Sequence, residues 1–149
     1  MSGEFVTASC KDTRNLSIGI DIVEVGRMLD LLKVGRFMKA VFSSEEVAYC
    51  QAQRFPAQHF AARFGAREAF LKAIGMGLGA PPSVERLSSI EVVRAPGSAP
   101  RVKVHRRLAR QLETRGIEKV NLSLSHSAAY AVAQVFVLWK PYESGFSES

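Results

Sequence analysis

Cysteine is scarce: only Cys10 and Cys50 occur among the 149 residues, and no CxxC or Cys/His ligand spacing accompanies them. Such a chain is neither stapled by a disulfide framework nor built around a thiolate-bound zinc, and a reducing compartment is the expected setting. Long apolar runs are also missing. The opening stretch MSGEFVTASCKDTRN holds no apolar segment of the kind a secretory leader uses. The longest one near the end, Ala128 to Trp139, is interrupted by Gln134 and too short to cross a bilayer. Neither secretion nor a membrane partner is expected, and a cytoplasmic location follows. Acidic charge is in deficit: 14 Asp plus Glu stand against 20 Lys plus Arg, a formal net charge of +6. That balance favours anionic partners, whether nucleic acid, phosphorylated small molecules or an acidic protein, without choosing among them.

What is present is the composition of a folded domain, 47% apolar and 23% charged, on a chain long enough for one core and too short for two. The domain is expected over 15–139, between an N-terminal extension (1–14) and a C-terminal tail (140–149). Asn15 to Ile22 alternates and is rich in β-branched residues, which predicts a strand with Asp21 near its end, where the chain turns into a helix. From Glu24 to about Lys39 the positions Val25, Met28, Leu29, Leu32 and Phe37 follow a loose helical period among basic residues, and Gly35 is placed to break it. Ser43 or Ser44 with Glu45 and Glu46 reads as the N-cap and acidic first turn of a second helix through Cys50, and Pro56 is expected to end that region. His59 to Ile74, closed by Gly75, is the predicted central helix. A Gly/Pro-rich loop to Pro82 precedes a hairpin of Ile90–Val93 and Arg101–Val104. Val104, Leu108 and Leu112 mark a further helix up to Gly116, and Lys119–Ser125 and Ala129–Leu138 read as two strands. The sum is an α+β domain with an antiparallel sheet.

Several side chains in this frame can carry chemistry, and each has a plainer reading. Glu68 and Lys72 lie one turn apart on one helix face, which alone describes a surface ion pair worth about 0.3–0.5 kcal/mol. Asp21 alone is a turn or N-cap residue, and His126, after Ser123 and Ser125, a histidine capping a turn. Arg63 and Arg67 repeat at i,i+4 and offer cationic forks to phosphate or to structural ion pairs. The Gly75–Gly79 segment permits close backbone approach to a ligand, or forms a helix C-cap with a linker.

Taken together the segments say more. Gly19-Ile20-Asp21, then Phe64-Gly65-Ala66-Arg67-Glu68-Ala69-Phe70-Leu71-Lys72, then Gly75-Met76-Gly77-Leu78-Gly79, then Leu122-Ser123-Leu124-Ser125-His126 occur in that order. From about Ser17 to Val137 the chain resembles the phosphopantetheinyl transferases of the short holo-acyl-carrier-protein synthase type. The resemblance implies an antiparallel sheet wrapped around or packed on a long central helix. It also implies Mg²⁺-dependent transfer of phosphopantetheine from coenzyme A to a serine of a small acidic acyl carrier protein. In that reading Asp21 and Glu68 are the Mg²⁺ ligands. Lys72 places a point charge on a phosphate oxygen, and His126 donates to a coenzyme A phosphate, ahead of a role as general base. Arg54, Arg63, Gly75, Gly77, Gly79 and Ser125 join Lys72 and His126 as coenzyme A contacts, while Arg67 stands where the family usually has lysine. Arg27, Leu31, Arg36 and Phe37 on the early helix would meet the acidic carrier protein. A homotrimer with sites at subunit boundaries is implied too, leaving open whether Asp21, Glu68 and Lys72 come from one chain.

Two other classes of function compete with this one. A basic nucleic-acid-binding module would use Lys103–Arg110, but carboxylates such as Asp21 and Glu68 repel phosphates unless a metal intervenes; nucleic acid is therefore not the expected partner. A catalytically silent carrier-docking relative is disfavoured because Asp21, Glu68, Lys72 and His126 are all retained.

Overall fold

A side chain at Gly19 would have nowhere to go: an added Cβ would lie 1.8 Å from the Ala69 carbonyl oxygen. This close approach, of strand β1 (Leu16–Glu24) onto helix α4 (Pro56–Ala73), organises the fold. The computed structural model describes residues 15–77 and 81–141. In chain order β1 is followed by α1 (Val25–Leu32), α2 (Phe37–Val41), α3 (Ser44–Gln51), α4, α5 (Val84–Ser88), β2 (Ile90–Val93), β3 (Arg101–Val104), α6 (Arg106–Glu113), β4 (Ile117–His126) and β5 (Tyr130–Trp139). Strands β1, β5 and β4 form one antiparallel sheet with β5 in the middle, and β2 and β3 form a separate hairpin.

Period-two geometry gives the three-stranded sheet two unlike faces. Gly19, Val23, Ala131, Ala133, Val135 and Val137 are buried on the side where α4 packs. Small residues on both partners allow the close contact. Alternate residues Leu16, Ile18, Ile20 and Ile22 point the other way and are 54 to 64% exposed. Helix α4 is enclosed on most sides, and it buries Phe60, Ala61, Ala66, Ala69, Phe70 and Leu71 together with the guanidinium-bearing Arg63 and Arg67. Complete burial of a Phe or Leu side chain contributes about 1.5–3 kcal/mol.

Several boundaries differ from the sequence reading, each for a physical reason. Pro56 does not end a region but starts α4 at its first position, where its missing N–H costs no hydrogen bond. Strand β1 continues to Glu24 because all nine of its residues pair with β5, so Asp21 sits inside a strand rather than at a turn. The basic stretch after Glu24 divides into α1 and α2 around Gly35. Ser43 is the cap of α3, and Glu46 completes a capping box. The loop read as non-helical through Pro82 is followed at once by α5, a single turn capped by Ser83 that its short length hid. Gly75 closes α4 with φ +76°, a conformation that suits glycine. The far end of the sheet is tied down by Trp139 Nε1, which donates to Ser17 Oγ (2.8 Å), and by Ser17 Oγ, which donates to the Ala73 carbonyl (2.7 Å).

Candidate active site

Strand β1 and helix α4 bring Asp21, Glu68 and Lys72 of one chain to a single cavity of about 550 Å³. Asp21 shares the helix-facing side of β1 with Gly19 and Val23, and its carboxyl lies beside Gly65 of α4, where a Cβ would be 3.8 Å from Oδ2, an ordinary contact distance. Lys72, one turn beyond Glu68, does not pair along the helix. Its ammonium instead crosses to β1 and donates to Asp21 Oδ1 at 2.9 Å and to the Ile20 carbonyl at 3.0 Å. The Glu68 carboxyl is pushed above its usual range, first by burial and then by the neighbouring Asp21 charge, with Lys72 and Arg27 acting in the opposite direction. Two carboxylates converge here, and the charge of one is felt by the other.

Arg27 and Leu31 of α1, Phe64 of α4, and Pro81, Pro82 and Leu87 line the same cavity. Arg36 is exposed before α2, whereas Phe37 turns inward, its ring 6.2 Å from Phe42 and 6.0 Å from Phe64. Phe37 therefore props α2 against α4, and the exposed apolar side chains of this region are Leu29 and Val34. Gly77 folds back on the end of α4, where a Cβ would sit 3.0 Å from the Lys72 backbone nitrogen. Gly75 is exposed at the helix terminus, and Gly79 lies outside the described residues.

His126 is not in this cavity. It lines a second one of about 310 Å³ with Tyr49, His59, Arg63, Arg94 and Pro100. The His126 and His59 rings meet at 4.8 Å between centroids. Arg63, 4% exposed, stacks its guanidinium 4.1 Å from the Tyr49 ring, and its buried Nε has no hydrogen-bond partner among the described residues. Ser125 falls on the opposite face of β4 from His126, and Arg54 lies exposed over the Phe55 ring at 5.1 Å. Of the two arginine forks, only Arg63 reaches a cavity wall with an atom unpaired; Arg67 is wholly interior and bound to Glu46. The basic stretch 103–110 is broken up, His105 pairing with Glu91 at 2.6 Å and Arg106 donating to Ser88 Oγ at 3.2 Å.

The family model for the ACPS group of the 4′-phosphopantetheinyl transferase superfamily matches residues 17–135. The chain belongs to the 4′-phosphopantetheinyl transferase superfamily. Among curated relatives within it, the holo-[acyl-carrier-protein] synthase of Moorella thermoacetica is 44% identical over 139 residues, 89% of this chain and 98% of its own. That of Syntrophus aciditrophicus is 42% identical over 121 residues, 80% of this chain and 92% of its own. The solved structure of the Chronobacterium ammoniagenes ACPS–CoA complex superimposes with a TM-score of 0.72 at 25% identity, covering 85% of this chain and 98% of that one. A holo-(acyl-carrier-protein) synthase from Bacillus anthracis in complex with CoA (3′,5′-ADP) gives 0.65 at 30% identity, covering 83% and 96%. Of the superfamily segments quoted from the sequence, those on β1 and α4 contribute to the first cavity and that on β4 to the second. Sequence reasoning missed Tyr49, His59 and Arg94. His59 was within reach, since it precedes Arg63 by four residues on the same helix; the other two come from separate elements and required the fold.

Proposed function

We infer that this protein is a holo-[acyl-carrier-protein] synthase, an enzyme that transfers 4′-phosphopantetheine from coenzyme A to a serine hydroxyl of an apo acyl carrier protein, with adenosine 3′,5′-bisphosphate as the second product. The observation that carries the reading is the convergence of Asp21, Glu68 and Lys72 on one cavity of a superfamily fold. In this reaction the serine oxygen forms a bond to the phosphorus that bears the pantetheine arm, and that phosphorus parts from the bridging oxygen of the pyrophosphate. The cavity wall supplies what such a transfer needs from a protein: charge placed where the diphosphate sits, and an apolar rim of Leu31, Phe64 and Leu87 that excludes water.

Mg²⁺ fits this donor set. Among the described residues no group of three or more His, Cys, Asp or Glu side chains forms a closed metal cage. A pair of carboxylates is what Mg²⁺ takes when phosphate oxygens and waters complete its shell. Asp21 and Glu68 would hold it. When bound it supplies charge neutralisation to the phosphate oxygens. Lys72, already 2.9 Å from Asp21, orients that carboxylate and presents a mobile cation to the phosphate. Arg63 and His126 in the second cavity bind the nucleotide end of coenzyme A, and Arg27, Leu31 and Arg36 receive the carrier protein, with Leu29 and Val34 as its apolar contacts. A homotrimer accounts for the outer sheet face, whose Leu16, Ile18, Ile20 and Ile22 are more exposed than a lone chain would favour. It also accounts for a site divided between two cavities that share no lining residue, since one subunit's carboxylates can face the next subunit's histidine side.

The test is direct. The protein, coenzyme A, Mg²⁺ and an apo acyl carrier protein are incubated, and the carrier is weighed by mass spectrometry. Addition of the phosphopantetheine mass, lost when Mg²⁺ is chelated and restored by its return, is the expected result; an unchanged carrier mass with every component present would overturn the reading.

A further inference from the structure

The second cavity holds more positive charge than a lone phosphate-contacting histidine requires. Its wall is built by Tyr49 from α3, His59 and Arg63 from α4, Arg94 just after β2, and His126 from β4, and among the described residues no carboxylate lines it. The adjoining cavity shares Tyr49, Arg63 and Arg94 and adds Glu45, Glu46, Glu91, Lys103 and His105. Two of those acids are engaged elsewhere, Glu46 by Arg67 and Glu91 by His105 and Ser43. His59 lies between two rings, 5.8 Å from Tyr49 and 4.8 Å from His126, edge to face with each. Arg94 reaches over from the hairpin, donating to Tyr49 Oη at 3.4 Å and to the Ser98 carbonyl at 3.1 Å.

We propose that His59 is a positioning residue for His126, its ring set edge to face against the His126 ring as a contacting pair and taking up a proton from solvent when the cavity closes on a phosphate of the bound nucleotide. The proposal rests on the reading above that this cavity receives the nucleotide end of coenzyme A. Two imidazolium rings in contact, beside two guanidinium groups and without an acid among them, repel one another strongly. In the open cavity this repulsion works against a proton on His59. Consistent with this, His59 is held below the usual histidine value, first by burial and then by His126, Arg63 and Arg94. A phosphate brings the negative charge that the cavity lacks, which raises the proton affinity of His59. Binding then favours the protonated form of His59, and affinity falls as pH rises through its bound-state range. The edge-to-face contact adds a steric part, because it fixes the plane of the His126 ring before the ligand arrives.

Calorimetric titration of the full protein with coenzyme A, in buffers of different ionisation enthalpy near pH 7, measures the protons exchanged. Net uptake is expected, with the dissociation constant weakening toward about tenfold per pH unit where one full proton is taken up. His59→Phe keeps a ring that can pack edge to face but removes the titrating group. It should cut the uptake to roughly half or less and flatten the pH profile of KM for coenzyme A. His59→Gln, checked for an unchanged melting temperature, serves if the Phe variant folds poorly. No proton uptake by the native protein, or the same uptake in a folded His59 variant, overturns the pair. His126→Ala separates the two levels of the argument. If it too leaves coenzyme A affinity untouched, the assignment of this cavity to the nucleotide fails and the pair fails with it. If it weakens binding while the His59 variants keep native uptake and pH slope, only the pair fails.

Discussion

Arg67 and Glu46 meet inside the protein, with Arg67 Nη1 2.9 Å from Glu46 Oε1 and both side chains 1% exposed. The arginine also donates to the carbonyls of Leu87, Arg63 and Val41, and the glutamate accepts from the backbone of Val92 while closing the cap of α3. One ion pair thus joins α2, α3, α4, α5 and β2. Removing one partner leaves a buried charge unpaired, so Glu46→Leu or Arg67→Met should each cost about 3–5 kcal/mol in denaturant unfolding. The double variant should recover part of that loss. Single-variant losses under about 1 kcal/mol would contradict the packing described.

Gly19→Ala should be among the most damaging substitutions of a small residue in this chain. The new methyl would occupy the place of the Ala69 carbonyl, so β1 must lift from α4. A loss of about 3 kcal/mol is expected, together with weakened transfer as Asp21 moves with its strand. Gly26→Ala, where a Cβ meets nothing within 4 Å, is the control, and its unfolding midpoint should stay close to native.

Asp21→Asn and Glu68→Gln should each lower the transfer rate by about 10²–10³-fold while leaving the unfolding midpoint nearly unchanged. The expected readout is single-turnover modification of the carrier protein at saturating coenzyme A. Native rates in either variant would remove that carboxylate from the chemistry.

Cys50 is fully buried, and burial pushes its thiol up to about 11. Thiolate is the reactive form, so in a Cys10→Ser background the native protein should resist thiol reagents at pH 7. It should become labelled only at the rate of unfolding. Rapid labelling without denaturant would show that the region around α3 opens on its own.

The depressed proton affinity of His59 has a consequence for stability with its own sign. A base held neutral by the fold binds fewer protons in the native state than in the unfolded one once pH falls toward about 6.5. The unliganded protein should therefore lose stability between pH 8 and pH 5.5, and His59→Phe should lose less over the same interval. Parallel midpoint-versus-pH curves for the two proteins would place the origin of any slope elsewhere.

Much of this architecture was legible in the residues, and the exceptions have causes. The hairpin, the last two strands and the body and C-terminal end of α4 follow from periodicity and from glycine and proline punctuation, which are local signals. Asp21 and Glu68 stood out only because a family pattern linked them; alternation and spacing alone gave a turn aspartate and a helix surface pair. The pairing of Lys72 with Asp21 rather than with Glu68 depends on how closely β1 approaches α4, which Gly19 permits and which spans some fifty residues of sequence. Arg67 was ambiguous for the same reason, its partner lying twenty-one residues away on another helix. The separation of His126 from the carboxylates is a matter of tertiary placement, which no run of neighbouring residues encodes.

Strand β1 has two sides with different obligations. Asp21 points inward from it, while Ile20 and Ile22 point outward into solvent. Any neighbour that seats itself on those isoleucines presses on the backbone that aims the carboxylate, and its departure on dilution frees that backbone again. Specific activity, normally a constant per milligram, would then vary with how much enzyme is in the tube.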